Sequence, residues 1–221
     1  MRVALDRTAR RLGGGSVLLG GSPLTVFRLG PGGRRVLDAI ERGDDVPASA
    51  HGLLDRLLDT GTAHPRPGAG RFGPRDVTVI VPVRDQDPRP TLHALGEIGA
   101  VVVVDDASHP PVSLGAGHRL LRHAGNEGPA AARATGRRVA ATPLLAFVDA
   151  DCVPEPGWLE ALLGHFDDER VALVAPRVQS LPGPGAIARY ETTRSPLDLG
   201  PVEARVAPAT RVAYSIRPTS R

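Results

Sequence analysis

Three short apolar runs most constrain what this chain can fold into. They are Val77–Pro82, Ala100–Val104 and Leu144–Val148. Each is rich in β-branched or other apolar residues, without the alternation of a strand that faces water on one side. Such runs read as strands buried on both faces, the habit of parallel sheets covered by helices. Helical patterns lie between and after them: 91–98, 129–141 and 156–167, the last with Trp158, Leu159, Leu162, Leu163 and Phe166 on one face. A fourth strand is expected at Val171–Ala175 and a fifth at Val212–Ile216. Strand–helix alternation of this kind predicts an α/β domain with a mostly parallel sheet. In such sheets ligands bind beyond the carboxyl ends of the strands. Two of the runs close there on acidic pairs, Asp105-Asp106 and Asp149-Ala150-Asp151.

Residues 1–66 have a different pattern. Strands are expected at 16–19 and 24–29, helices at 30–43 and 47–60, and an extended piece at 62–64. Gly61 is suited to ending the second helix. This predicts a small winged-helix-like α+β module. Residues 67–75 are Gly/Pro-rich and aperiodic, as a linker is, and 76–221 form the α/β domain.

Composition excludes several functions. All 27 basic residues of the 221 are Arg, yet the net charge is only +3 and aromatics make up 3%. There is neither a basic stripe nor a set of stacking platforms for nucleic acid. Cys152 is the only cysteine, so no internal disulfide or Cys-rich zinc site can form. The N-terminus has no apolar core of a secretory signal, and no apolar run approaches the ~18 residues of a membrane span. A cytoplasmic chain is expected, or one peripheral to the inner face of the membrane. Without Lys there is no phosphate loop of the Walker type, and no nucleophile elbow or complete dinucleotide fingerprint occurs.

Three constellations could carry chemistry. Asp149 and Asp151, one residue apart after a buried strand, can both lean toward one hard cation, Mg²⁺ or Mn²⁺, which takes oxygen ligands and shares them with phosphates. A solvated acidic turn would look the same. Asp106 could accept hydrogen bonds from a base or ribose, or serve as an Asx turn or cap. In Asn126–Gly136, Gly128 allows close backbone approach at a helix start, where anions are favoured, and Arg133 could reach a phosphate. A plain Ala-rich helix with a solvated Arg is the other reading.

Taken in order and spacing, Val79–Asp85, Val104–Ser108, Asn126–Gly136 and Phe147–Asp151 resemble the family 2 glycosyltransferases. The resemblance covers about residues 76–216. It implies a GT-A fold, a nucleotide-diphospho-sugar donor and a divalent metal. It implies that Pro82, Val83, Arg84, Asp85 and Asp106 hold the nucleoside. Asp149 would face the ribose and the metal, Asp151 would ligate the metal, and Arg133 would join the donor site. The segments 17–24 and 58–65, with Tyr190 and 195–201, are further similar to the pre-mycofactocin subgroup. That implies UDP-glucose as donor, a peptide-derived redox cofactor as acceptor, and a first module that grips a precursor peptide by strand addition.

An inverting transfer needs a general base, which that family places in its acceptor half. The chain reaches Arg221 before such a segment, and Glu191, Asp198 and Glu203 precede the base's expected position. The expectation is therefore a donor half, incomplete toward the C-terminus. A non-catalytic module that binds nucleotide or precursor peptide is the alternative. A nucleotidyltransferase would want a Gly-rich basic loop where Pro82–Asp87 stands.

Overall fold

In the computed structural model, residues 2–198 are described, apart from 116 and 196. The chain divides into two compact units. Among the described residues, one takes in those up to Gly68 and those from Gly164; the other is Ala69–Leu163. The segment from Gly164 thus groups with the N-terminal residues, although the sequence reading kept 76–221 together.

The first unit begins with β1 (Val3–Leu5) and a meander of β2 (Arg10–Leu12), β3 (Val17–Gly20) and β4 (Thr25–Arg28). Helix α1 (Pro31–Arg42) follows, opened by a proline and ended by Gly43 in the left-handed region. Next come α2 (His51–Asp59) and β5 (Ala63–Pro65). β5 pairs antiparallel with β1, while β2, β3 and β4 form an antiparallel sheet in that order. Leu18 and Phe27 from the sheet, Leu37 and Ile40 from α1, and Leu54, Leu57 and Leu58 from α2 share one core. The Arg56 guanidinium covers the Phe27 ring at 5.4 Å.

The second unit holds β6 (Val77–Val83), α3 (Arg89–Ala94), β7 (Ala100–Asp105), β8 (Arg119–Arg122), α4 (Pro129–Val139), β9 (Leu144–Phe147) and α5 (Trp158–Leu163). Its four strands are all parallel, in the order β8-β7-β6-β9. The α/β class and parallel sheet expected from the three runs are found. Alternate residues of β6 feed two cores. Val77, Val79, Val81 and Val83 pack with Leu92, Leu95, Leu159 and Leu163. Ile80 on the other face packs with Val102, Val104 and Ala132 of α4. A strand with helices on both faces has no polar side, which is why its sequence is continuous rather than alternating.

Gly136 is where α4 comes closest to the sheet. A Cβ there would stand 2.4 Å from Cγ2 of Ile80, a β-branched, fully buried residue. Gly136→Ala gains some helix propensity but overpacks the interface. A net loss of about 1–2 kcal/mol is expected, read as a lower midpoint of thermal unfolding.

The expected strand at Val171–Ala175 is a correction. These residues lie in irregular chain, and Leu173 is 75% exposed. They have the β propensity, but propensity does not supply a partner edge for the backbone. Beyond them, α6 (Ala186–Arg194) buries none of its residues. The expected strand at 212–216 lies outside the described residues. No described helix is long and apolar enough to cross a membrane.

Candidate functional site

The candidate site is the carboxyl end of the parallel sheet. The chain runs from β6 outward to β7 and β8, then returns to the other side of β6 as β9. This reversal of direction is the place where open α/β sheets bind ligands. Pro82 and Val83 lie beside Val104 and Asp105 in register. Val83 is buried at 3%, so it offers a ligand only its backbone, and its carbonyl already accepts from Asp106 N at 2.9 Å.

Arg84 and Asp85 emerge from that strand end half exposed, with Nε and Oδ2 3.4 Å apart. Asp85 has φ 53° and Ala107 φ 62°, both unusual for non-glycine residues. Asp85 is tied to the two residues that follow Ala107. Asp85 N donates to Ser108 Oγ at 3.0 Å, and His109 N donates to Asp85 Oδ1 at 2.8 Å. Left-handed backbone on adjoining strand ends is the local strain that functional turns carry.

Asp105 and Asp106 both point inward. Asp105 is fully buried and accepts from Ser108 N at 2.8 Å, from Val112 N at 3.1 Å and from Arg122. Asp106 is 4% exposed. Its Oδ1 accepts from Glu127 N at 2.9 Å and lies 2.8 Å from His123 Nδ1; its Oδ2 accepts from Gly128 N at 2.8 Å. Gly128, with φ 88°, caps α4. The helix start expected to favour an anion therefore already has one, a carboxylate of the chain itself. Burial alone would raise both carboxyls. The donors outweigh it, Ser108, Val112 and Arg122 for Asp105, Glu127, His123 and Gly128 for Asp106, and hold both below the usual carboxylate range.

After β9, Val148 is buried while Asp149 and Asp151 are exposed. Their turn is held by backbone: Cys152 N donates to Asp149 O at 3.0 Å and Thr91 Oγ to Ala150 O at 2.7 Å. Arg133 reaches from α4 to Asp149, with Nη2 2.5 Å from Oδ1. Burial, then the carboxylates of Asp151 and Asp149, push the Cys152 thiol up, so it stays protonated at neutral pH.

The structure thus brings Pro82–Asp85 against the 105–109 turn and Arg133 against Asp149, and it places Asp106 underneath as an anchor. Sequence reasoning included Ser108 in the Val104–Ser108 segment without a role of its own and missed Thr91, Arg122 and His123, which shape these turns. His123 also reaches Thr135 Oγ1 at 3.0 Å. Nothing in a single sequence marks a serine or threonine as a turn anchor. Arg122 and His123 belong to β8 and its end, an edge strand too short and too exposed to show a period.

Asp149 and Asp151 are two exposed carboxylates at a strand end, oxygen donors of the type that hard divalent cations take, and such ions complete their shell with phosphates and water. No group of three or more possible protein ligands occurs among the described residues, so a ligand would have to complete the set.

Residues 90–205 match the family model described as Glycosyl transferase family 2. Pre-mycofactocin glycosyltransferase of Mycobacterium tuberculosis, in two strains, is 46% identical over 224 residues, covering 96% of this chain. The chain spans 46% of the length of those proteins. A probable N-acetylgalactosaminyltransferase 9 of Caenorhabditis elegans is 35% identical over 63 residues, 28% of this chain and 11% of its own length. A mannosyltransferase from Pyrobaculum calidifontis, solved in complex with GDP-Man and Mn²⁺, has 25% identity and a TM-score of 0.39, over 65% of this chain and 45% of its own. The matched stretch takes in over half of the sequence, including both acidic pairs and the helix that carries Arg133, and on that ground the chain belongs to glycosyl transferase family 2.

Proposed function

We propose that this chain is the donor-binding part of a glycosyltransferase in mycofactocin maturation. It takes a nucleotide-diphospho-sugar, UDP-glucose, together with Mg²⁺ or Mn²⁺, and serves transfer of the sugar to a hydroxyl of a peptide-derived acceptor. The observation that carries this reading is the grouping of family-matched residues at the end of one parallel sheet. The similarity to the Mycobacterium proteins supports the acceptor class.

In this reading the 82–85 turn receives the nucleoside, with Asp85 fixed by Ser108 and His109. Asp106 keeps the 126–128 loop and the start of α4 in position through its bonds to Glu127 and Gly128. Asp149 and Asp151 would hold the metal, and Arg133 would meet the diphosphate as a fork of donors. The metal, when bound, neutralises charge on the departing diphosphate. Residues 1–66 take the precursor peptide as a winged-helix-like module. This is supported by the edge strand β4, where Val26 is 57% exposed and the backbone can accept an added strand.

The test is calorimetric titration of UDP into the whole chain with and without Mn²⁺, with circular dichroism on the same sample. Binding that requires Mn²⁺ is expected. A folded chain that binds no UDP under either condition would refute the reading.

A further inference from the structure

We infer that Arg133 is a latch on the metal site: it occupies Asp149 until a diphosphate draws it away, so that metal and nucleotide enter together. The inference rests on the donor-site reading above. It comes from one contact. The Arg133 guanidinium lies 2.5 Å from Asp149 Oδ1, with the two side chains 34% and 55% exposed. Asp149 is one of the two carboxylates available to a cation there. Asp151, beside it, is reached by the Cys152 thiol at 3.8 Å.

A guanidinium and a dication cannot both sit against the same carboxylate oxygen without strong repulsion at a few ångströms. With Arg133 in contact, a cation arriving alone meets two carboxylates of which one is already neutralised, so it is held less tightly. The pair is open to solvent, so exchanging its partners needs no unfolding of the core.

A diphosphate changes the balance. It offers the planar fork of Arg133 two acceptors of higher charge, which suits a guanidinium better than one carboxylate oxygen. Once Arg133 moves to the phosphates, Asp149 is free to join Asp151 on the cation. Nucleotide then tightens metal, and by linkage metal tightens nucleotide by the same factor. A nucleotide-free chain would carry little metal.

The experiment titrates Mn²⁺ into the whole chain and reads free Mn²⁺ by electron paramagnetic resonance, with and without saturating UDP. Wild type, Arg133→Gln and Arg133→Lys are compared, each checked for folding by circular dichroism. Without UDP, Arg133→Gln should bind Mn²⁺ about fivefold more tightly than wild type, the upper range for an exposed charge pair. Arg133→Lys, which keeps the charge, should stay near wild type. The tightening of Mn²⁺ by UDP should be smaller in Arg133→Gln. Equal Mn²⁺ affinities without UDP, in a wild type that still binds UDP with Mn²⁺, would overturn the latch and leave the donor-site reading standing. A folded wild type that takes up neither Mn²⁺ nor UDP would overturn that reading, and the latch with it.

Discussion

Asp151→Ala is expected to weaken Mn²⁺-dependent UDP binding by roughly a hundredfold, about 2.7 kcal/mol, without disturbing the fold. The side chain is exposed and the thiol of Cys152 is the neighbour it meets. The turn that carries it is held by Thr91 on Ala150 O and by Cys152 N on Asp149 O, neither of which uses the Asp151 carboxylate. The variant therefore removes a charge and an oxygen ligand and little else. A dication served by two carboxylates loses half of its protein charge when one is removed, and hard ions depend on such charge. Calorimetry of UDP with Mn²⁺ measures the loss, and the unfolding midpoint reports the fold. Unchanged affinity in a folded variant would sink the metal assignment.

Asp105→Ala should have the larger effect on stability. The carboxylate is fully buried and takes bonds from two backbone N–H groups and a guanidinium. Alanine leaves Ser108 N and Val112 N without their acceptor and Arg122 without its carboxylate, with only the Ser108 carbonyl, 3.0 Å from Nη2, still accepting from it. Breaking a buried charge pair in this way costs about 3–5 kcal/mol, and Arg122, at 36% exposure, can recover part of that from water. A loss of about 3 kcal/mol is expected, seen in chemical denaturation. The pH dependence has a definite sign. The folded-state carboxyl titrates below its ordinary value. Its contribution is thus fully present above about pH 4 and disappears as pH falls through the lowered value. Asp105→Asn, which keeps the shape and one acceptor, should be less destabilised than Asp105→Ala. Its stability should fall less steeply than that of wild type between pH 4 and more acidic conditions. A parallel fall in both proteins would show that other carboxyls govern acid unfolding.

The legible parts of the fold were those with continuous apolar runs. β6 and the second half of β7 are buried, whereas β9 is only partly buried, with Phe147 47% exposed, yet its run Leu144–Phe147 is just as uninterrupted. β1, β2 and β8 were missed because each has three or four residues, and Arg10–Leu12 and Arg119–Arg122 are largely exposed. Val171–Ala175 was misread for the complementary reason: the right residues without a neighbouring strand. At the site, Asp149, Asp151 and Arg133 could be picked out because they follow a continuous apolar run or lie in the first turns of a helix. The roles within Asp105-Asp106 could not. Which oxygen meets a backbone donor is fixed by where the 108–112 and 126–128 loops return, and a linear sequence does not carry that.

The position of β6 at the centre of its sheet also sets an order of events as the chain is made. One edge of β6 is taken by β7, a short distance along the chain. The other stays open until β9 arrives, since Val77 pairs with Leu144. Parallel pairing over such a separation forms late, because a long loop must close before any contact rewards it. A ribosome-bound chain would therefore present one bare, strongly apolar strand edge for some sixty residues of synthesis, the interval in which a chaperone or a neighbouring nascent chain competes for it.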